Sequence, residues 1–395
     1  MKGGEGVNLK KFTNLFNFDT QKKMFLGIEE EFWLTDSKGF LVNRAVSLLH
    51  EAAKEKLNLN WSRKEFLKDI WKKGTKGVLN NLRLSVGLQP ELPLSQIEIN
   101  TNPCPDFKSL EIDLLAQRGY LFFLTEKEKI KVLPTATPLY PFAAKIFPLP
   151  YYQKVQEIFA DKIKKGFISG QHIHIGVADE SEAIKVFNLL REYLPIFLAL
   201  STNSPISEGT STSLHSARYF KYRVVAGQVI PNPVLSWKDY YGTLEKMMCL
   251  DDPTRNWKIL RIHPYGTVEI RVSDIQLTAK EAIFLAVIAK VLAFLALNSS
   301  YNQQFSSLES MESSLLRSAV YGLSSQELRQ SIIKALSKLT AIAKEMEIGE
   351  IWQRVLEWVK EGSNGSQRQL KYLAWAKNDP EKLFQLINNE FINEL

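Results

Sequence analysis

Cysteine is scarce in this sequence. Only Cys104 and Cys249 occur among 395 residues, and they are far too distant for a Cys-x-x-Cys pair. The shortage argues against a disulfide framework and a thiolate zinc site, and it is typical of a reducing compartment. Residues 1–20 also lack the apolar core of a signal peptide. We therefore expect a cytoplasmic protein whose two cysteines are packed thiols.

Long hydrophobic runs and glycine-rich phosphate loops are also missing. The longest apolar run, residues 282–297, is interrupted by Lys290 and is short for a membrane span, so it predicts a buried helix. We expect no membrane partner. Neither a P-loop nor a serine nucleophile elbow occurs, so phosphate binding would depend on metal ions and arginines.

A strong excess of one charge is absent as well. Lys and Arg number 50 against 43 Asp and Glu, a net charge of +7. This surplus is more typical of a solvated surface than of a nucleic-acid interface. The one basic stretch, residues 63–76, repeats Phe66, Ile70 and Trp71 at helical spacing and predicts an amphipathic surface helix. We therefore expect no nucleic-acid partner.

The sequence does contain four short segments in which polar and apolar residues alternate with period two. Each is bounded by Gly, Pro, Asn or Asp, so each predicts a β-strand. The four segments are residues 26–34, 95–100, 170–177 and 266–272.

Helical patterns separate these strands. They cover residues 107–128, 180–200 and 278–297, where Pro195 predicts a kink or a break and Thr278 with Glu281 forms a capping-box pattern. The pattern predicts an α+β fold.

The second half of the chain changes character twice. Residues 202–252 are rich in Ser, Gly, Pro and Asn and predict mostly loop, which we expect to close over a site. Residues 315–395 read as helical throughout. We therefore predict one domain over residues 1–300, with a C-terminal helical extension, residues 301–395, packed on it.

Each predicted strand has one apolar and one polar face, because residues two apart share a face. The polar faces together hold Glu29, Glu31, Gln96, Glu98, Asn100, His172, His174, Thr267, Glu269 and Arg271. A solvated face of an antiparallel sheet is one interpretation, and a reaction floor is the other. Like charges on neighbouring strands are destabilising, so four converging glutamates with one arginine favour the second.

Oxygen ligands with an imidazole suit Mg²⁺ or Mn²⁺, which commonly join carboxylates to substrate phosphates. Zinc is the weaker interpretation, since carboxylates outnumber the His-x-His pair. Glu30 lies on the other face beside Ile28 and Phe32, and we expect it to be structural.

An ordered set of motifs makes the sequence recognisable. They are Gly27-Ile-Glu-Glu-Glu-Phe32, Gln89-Pro-Glu-Leu92, Ser95-Gln-Ile-Glu-Ile-Asn-Thr101, Gly170-Gln-His-Ile-His-Ile-Gly176, Leu200-Ser-Thr-Asn-Ser-Pro205, Ser216-Ala-Arg218 and Tyr265-Gly-Thr-Val-Glu-Ile-Arg-Val272. The set resembles the glutamate–cysteine ligase type 2 family, also called carboxylate–amine ligases, within the glutamine synthetase-like superfamily. The resemblance implies a glutamine synthetase-like catalytic domain, with a curved, mainly antiparallel sheet backed by helices.

The resemblance also implies roles for individual residues. By motif position the metal ligands are Glu29, Glu31, Glu91, Glu98, His172 and Glu269. Arg271 corresponds to the arginine that steadies the transferring phosphoryl group, and we group it with Glu269 and Glu31 as catalytic. His174 is either a phosphate ligand or a hydrogen-bonded sheet histidine. Arg218 is expected to bind phosphate or substrate, and Asn100 and Arg223 are expected to bind substrate.

The function implied is ATP- and Mg²⁺-dependent ligation of the γ-carboxyl of glutamate to an amine through an acyl phosphate, most specifically to cysteine. No cysteine pocket is recognisable, so another amine acceptor is the alternative. A phosphotransferase of the guanidino-kinase type and a nucleotide- or nucleic-acid-binding protein without catalysis are the competing classes. By family analogy we expect a homodimer or higher homo-oligomer. We expect His50, His215 and His263 to be structural or on the surface.

Overall fold

A computed structural model describes residues 9–143, 145–159, 167–298, 304–377 and 379–395. Its main sheet is antiparallel throughout its described pairings, in the order β2-β3-β1-β5-β9-β8, with β4 also paired to β1. A separate short hairpin joins β6 and β7. The strands are β1 Leu26–Thr35, β2 Leu88–Pro90, β3 Gln96–Asn100, β4 Lys131–Leu133, β5 Gln171–Gly176, β6 Ile206–Ser207, β7 Thr210–Ser211, β8 Leu260–His263 and β9 Thr267–Ile270.

The α-helices fall between the strands and after them. They are α1 Ala45–Leu57, α2 Arg63–Lys73, α3 Val78–Val86, α4 Phe107–Lys127, α5 Pro150–Phe159, α6 Glu180–Ser201, α7 Ala217–Ala226, α8 Trp237–Lys246, α9 Ala279–Asn298, α10 Leu308–Tyr321, α11 Gln326–Ser337, α12 Thr340–Glu345, α13 Gly349–Glu361, α14 Gly365–Ala376 and α15 Pro380–Ile392. Short 3₁₀ turns lie at Thr20–Lys22, Gly74–Lys76, Pro253–Arg255 and Gly322–Ser324.

The four strands expected from period-two alternation all form. Their apolar residues, such as Ile28, Phe32 and Ile173, are at most 1% exposed and pack against α4, α6 and α9. The polar residues consequently share the opposite face. The predicted α+β fold, a mainly antiparallel sheet backed by helices, is confirmed.

Two of the backing helices test the sequence interpretation directly. Helix α9 is apolar on all sides, and although it is long enough to cross a membrane, 72% of its most apolar 18-residue window is buried. The prediction of a buried helix is confirmed. Pro195 does not break α6, which continues to Ser201. The tertiary packing of Leu194 and Phe197, both 0% exposed, outweighs the loss of one backbone hydrogen bond.

Just over half of residues 202–252 lie outside helices and strands, as expected, but two helices in this segment were not predicted. The segment contains helices α7 and α8, whose N-caps are the side chains of Ser216 and Ser236. Thr202, Asn203 and Ser204 at its start are fully buried. This first part is therefore a packed wall rather than a lid. Short helices of about ten residues between Ser- and Pro-rich turns gave too little periodic signal.

The basic helix and the tail agree with their predictions. Helix α2 has a Ser62–Glu65 capping box and buries Phe66 and Ile70, while Trp71 is half exposed. The described residues after 304 are helical apart from short connections. The boundary predicted at residues 300 and 301 lies outside the described residues, so the division into two domains stays a prediction.

The apolar side of the sheet contains one charged pair. Glu30 and Arg118 are both 0% exposed and form two hydrogen bonds, of 2.6 and 2.8 Å. Arg118 also donates to the carboxylate of Glu394 at 3.2 Å, and that carboxylate accepts the Ala279 amide at the start of α9. The expectation that Glu30 is structural is confirmed.

Candidate active site

The strand register places the polar residues in one row across the sheet. Opposite Glu29 of the central strand β1 lie Asn100 on one side and His172 on the other. Glu31 lies opposite Glu98. On the next pair, His174 faces Glu269. Antiparallel pairing with a period of two therefore brings four strands' polar side chains to one place.

The side chains meet around His172. Its Nδ1 lies 3.0 Å from Glu29 Oε2 and 3.8 Å from Glu269 Oε1, and its Nε2 lies 3.7 Å from Glu31 Oε1. His174 Nε2 lies 3.3 Å from Glu29 Oε1. Gln89 donates a hydrogen bond to Glu98 from the neighbouring strand β2. The residues expected to form the site are therefore gathered and largely buried.

The described residues contain three groups of potential metal ligands, each with its donor atoms within 4.8 Å of one another. They are Glu29, Glu98 and His172; Glu31, Glu91 and Glu98; and His174, His263 and Glu269. The first two groups share Glu98 and consist mainly of carboxylates. This donor set fits Mg²⁺ or Mn²⁺ better than zinc, because hard oxygen ligands dominate.

The third group fits a metal less well. Nδ1 of His263 accepts the Tyr265 amide at 3.1 Å, so the proton of the neutral ring is on Nε2 and blocks that atom as a ligand. Burial lowers the pKa of His263 to about 3. Glu269 is also occupied by two guanidinium groups, as described below. The metal assignment is therefore best supported for the first two groups, and the metal role expected of Glu269 stays a prediction.

Three carboxylates are held at an electrostatic cost. Burial and then the charge of Glu31 raise the pKa of Glu91 to about 7. Burial, with repulsion from Glu29 and Glu91, raises the pKa of Glu98 well above its ordinary value. Burial also raises the pKa of Glu31, although Arg218 and Arg271 oppose the increase. Such carboxylates must hold protons or acquire cations.

Two other carboxylates are compensated. Burial alone would raise the pKa of Glu29, but the charge of His174 and the hydrogen bond from His172 lower it well below its ordinary value. Burial is likewise overcome at Glu269, where Arg261 and Arg271 lower the pKa. The row thus contains carboxylates stabilised by the protein's own cations and carboxylates whose charge is left uncompensated.

The two central histidines differ in charge. Burial and the neighbouring Arg271 lower the pKa of His172 to about 4, so its ring is neutral and can act as a ligand. Burial also opposes the charge of His174, but Glu29 and Glu269 raise its pKa above the ordinary value. Its Nδ1 lies 2.8 Å from the Thr267 hydroxyl.

Arg261 is a site residue that the sequence interpretation missed. It binds Glu269 through Nε and Nη2, and Nη1 donates to the Thr254 carbonyl. Arg271 binds the same carboxylate and lies 3.5 Å from His172 Nδ1. Arg261 and His263 lie on β8. The alternation of apolar and polar residues in Leu260-Arg-Ile-His is the signal that could have identified Arg261.

Arg218 lies at the edge of the row. It is 4% exposed, and its Nη1 and Nη2 donate to the carbonyls of Val272 and Arg271, each at 3.1 Å. Its Nε is buried without a hydrogen-bond partner. The guanidinium passes over Gly170, where any Cβ would overlap Nη2, and the Gly170 amide donates to Glu31 at 2.6 Å.

The remaining two substrate candidates are placed differently. Asn100 lies in the row, and its side-chain nitrogen donates to the Gly87 carbonyl at 3.1 Å. Arg223 instead forms an ion pair with Glu312 of α10. It lines neither of the two cavities described below. A substrate role for Arg223 stays a prediction without a contact to support it.

Two cavities reach the row. One, of about 210 Å³, is lined by Glu31, Glu91, His172, Arg218 and Arg271, with the aromatic rings of Tyr151, Tyr152, Tyr222 and Trp257. The other, of about 540 Å³, is lined by Glu29, Asn100 and His174 and by Arg83 and Tyr265, whose guanidinium and hydroxyl groups lie 3.3 Å apart. Different ligands can therefore reach neighbouring carboxylates of the same row through different openings.

The isolated residues mostly have the structural roles expected of them. His50 contacts the Trp61 carbonyl at 2.7 Å, and His215 contacts the Ser366 hydroxyl at the same distance. Cys104 and Cys249 are buried free thiols. His263 is the exception, because it lies beside His174 with ring centroids 5.3 Å apart.

Known proteins resemble this chain both in sequence and in fold. The model of the family described as glutamate-cysteine ligase family 2 matches residues 25–376. A protein of Solibacter usitatus that bears the provisional name glutamate–cysteine ligase 2 is 29% identical over 313 residues, 73% of this chain and 80% of the relative. A relative with the same provisional name from Roseiflexus castenholzii is 31% identical over 211 residues, 52% of this chain and 56% of the relative.

Solved structures show the same fold at low identity. A bifunctional glutathione synthetase from Pasteurella multocida has a TM-score of 0.64 and 13% identity, with 98% of this chain covered and 53% of that protein. The glutamate–cysteine ligase of Francisella tularensis in complex with AMP has a TM-score of 0.62 and 14% identity, with coverages of 95% and 90%. The chain thus spans about half of the bifunctional enzyme and most of the second.

Proposed function

The chain belongs to glutamate-cysteine ligase family 2, and on that premise we propose that it is an ATP- and Mg²⁺-dependent ligase that joins the γ-carboxyl of glutamate to an amine, with cysteine as the first candidate. The convergence of Glu29, Glu31, Glu98 and His172, which fall in two ligand groups that share Glu98, is the observation on which the proposal depends. A group of carboxylates that binds cations beside arginines suits the transfer of a phosphoryl group.

The two cavities suit the two halves of such a reaction. We assign the larger cavity, which reaches Glu29 and His174, to the nucleotide, because a nucleoside triphosphate needs the greater volume. The smaller cavity reaches Glu31, Arg218 and Arg271 and would hold the glutamate and the acceptor. The phosphoryl group then passes across the row between them.

The chain's own cations have separate tasks in this scheme. Arg271, fixed by Glu269, is placed to stabilise charge on the transferring phosphoryl oxygens, and His174 is placed to bind phosphate. Arg218 offers its buried Nε to a substrate oxygen. Glu29, Glu98, His172, Glu31 and Glu91 would hold the metal ions. Bound Mg²⁺ would neutralise phosphate charge and act as a Lewis acid.

The aromatic wall of the smaller cavity would keep water from the reactive carboxyl. The glutamate carboxylate attacks the γ-phosphorus, ADP leaves, and the amine then displaces phosphate from the resulting anhydride. The amine loses one proton in that step.

The test is a screen of amines with ATP, Mg²⁺ and glutamate, in which phosphate release and amide formation are measured together. We expect amide formation with at least one amine and its loss in Arg271→Ala. A phosphorylated guanidine without amide would support the guanidino-kinase class instead. If no amine in the screen increases phosphate release, the ligase proposal is contradicted.

Two further expectations accompany the proposed reaction. Its dependence on ATP and a free amine suits the cytoplasm. A homodimer or higher assembly is expected from the family alone, and sedimentation velocity would test it.

A further inference from the structure

Behind the site lies the buried wall that follows α6, formed by residues 202–204. Asp274 is 0% exposed, and its carboxylate accepts the Asn203 amide at 2.8 Å and the hydroxyls of Ser204 and Ser216 at 2.7 and 2.8 Å. The Arg218 amide in turn donates to the Ser204 hydroxyl at 3.1 Å. This wall therefore sets the start of α7, the helix that bears Arg218.

The helical tail holds the same wall from behind. Gln369 of α14 donates to both the carbonyl and the side-chain oxygen of Asn203, at 2.8 and 2.6 Å. Asn364 donates to the Thr202 hydroxyl at 2.7 Å, and the Ser366 amide donates to the Thr202 carbonyl at 2.9 Å. All five of these residues are 0% exposed.

The contact is too close to be general packing. Gly365 lies against Asn203 so tightly that any Cβ would overlap the Asn203 Oδ1 atom. On the other side of the wall, the amides of His215 and Ser216 donate to the Ala319 carbonyl of α10, at 2.9 and 2.8 Å. Polar groups this deeply buried have few alternative partners, so their geometry is strongly specified.

We propose that Gln369, with Asn364 and Ser366, is a positioning residue: through Asn203, Ser204 and Asp274 it fixes where Arg218 stands in the site. The tail is then part of the catalytic unit rather than an appendage. The inference rests on the proposed function in so far as Arg218 binds substrate there. Gln369 itself touches neither cavity and acts only through the wall.

The matched control is Arg368, the neighbour of Gln369 on the same helix. Arg368 anchors α14 to Glu281 of α9 at 2.6 Å and to Glu390 of α15 at 2.8 Å. Replacing it weakens the packing of the tail without removing a hydrogen bond to the wall. Gln369→Ala and Arg368→Ala therefore separate positioning from general destabilisation.

We expect Gln369→Ala to lower kcat/KM for glutamate by about 10- to 100-fold while the KM for ATP changes little, because small displacements of a binding group are costly. Arg368→Ala should lower the melting temperature but leave both constants near wild type when assayed well below it. In an Arg218→Lys background, Gln369→Ala should have little further effect. Equal losses in the two alanine variants, or full additivity with Arg218→Lys, would overturn the inference.

A second readout does not depend on activity. Amide hydrogen exchange in peptides covering residues 202–218 should rise in Gln369→Ala and stay near wild type in Arg368→Ala. If the wild-type chain makes no amide from glutamate, the proposed function fails, while the exchange result still decides whether the tail orders this segment. Unchanged amide hydrogen exchange in residues 202–218 of Gln369→Ala would contradict the positioning role.

Discussion

On strand β1, Glu29 and Glu31 lie on one face of the sheet and Glu30 lies on the other. The two faces differ in the charged partners that they give to a glutamate. Glu30 is neutralised by Arg118 through two hydrogen bonds, and both side chains are 0% exposed. Glu31 lies among other carboxylates, with a raised pKa. A carboxylate that the fold has fully paired is structural, and one that it leaves underpaired has capacity for a ligand.

The largest expected effect is the loss of stability when the Glu30–Arg118 pair is broken. Glu30→Gln removes the carboxylate that binds Arg118 through two hydrogen bonds and leaves Glu394, 3.2 Å away, as the remaining counter-charge, so we expect a loss of about 3 kcal/mol in the free energy of unfolding. Urea denaturation would measure it. Adding Arg118→Met should recover part of the loss. A change below about 1 kcal/mol would contradict the comparison.

The same substitution one residue later should have the opposite profile. Glu31→Gln keeps an oxygen that can accept the Gly170 amide but removes a charge, so we expect stability to be maintained. Ligase activity should fall roughly 10²- to 10³-fold, about 2.7–4 kcal/mol of barrier. Steady-state kinetics with the accepted amine would check this, and a stability loss as large as that of Glu30→Gln would remove the distinction.

A neutral residue at Glu91 should stabilise the metal-free protein. The pKa of Glu91 is about 7 in the fold and 4.5 in the unfolded chain, so metal-free stability falls as pH rises from about 4.5 to 7. With EDTA present at pH 8, Glu91→Gln should therefore increase the free energy of unfolding by about 1–3 kcal/mol. The gain should vanish near pH 4.5. Thermal unfolding at both pH values measures it, and a stability loss at pH 8 would refute it.

The smallest expected effect concerns metal binding. Mg²⁺ must displace the protons of both Glu91 and Glu98, so its affinity should fall by at least about tenfold from pH 8 to pH 6. Isothermal titration with MgCl₂ alone would measure both the affinity and the protons released. Glu30→Gln should leave this pH dependence unaltered if it folds, whereas Glu91→Gln should reduce it to the part that depends on Glu98. An affinity independent of pH would oppose the metal assignment.

Much of the site could be predicted because it follows from local pattern. Period-two alternation fixed the faces of β1, β3, β5 and β9, and antiparallel pairing then brought Glu29, Glu98, His172 and Glu269 together. The capped helices α4 and α9 were also visible, since each is long and apolar on its buried side. These are properties that neighbouring residues encode by themselves.

What the sequence did not reveal depends on contacts between distant segments. Strand β8 lies outside the four segments recognised by alternation, so Arg261 was missed and His263 was expected to be structural or on the surface. Asp274 gained its role from Asn203 and Ser216, 71 and 58 residues away. The link between Gln369 and Asn203 spans 166 residues. No local window contains both partners of such contacts.

Gly170 has a consequence for how this protein can vary. Its backbone does not need glycine for conformational reasons, and the exclusion of other residues comes from the Arg218 guanidinium that occupies the place of a Cβ. Tolerance at position 170 should therefore be conditional on position 218. In a library that varies both positions, alanine at 170 should survive mainly where residue 218 is small, which is a pattern of epistasis that a scan of single substitutions would miss.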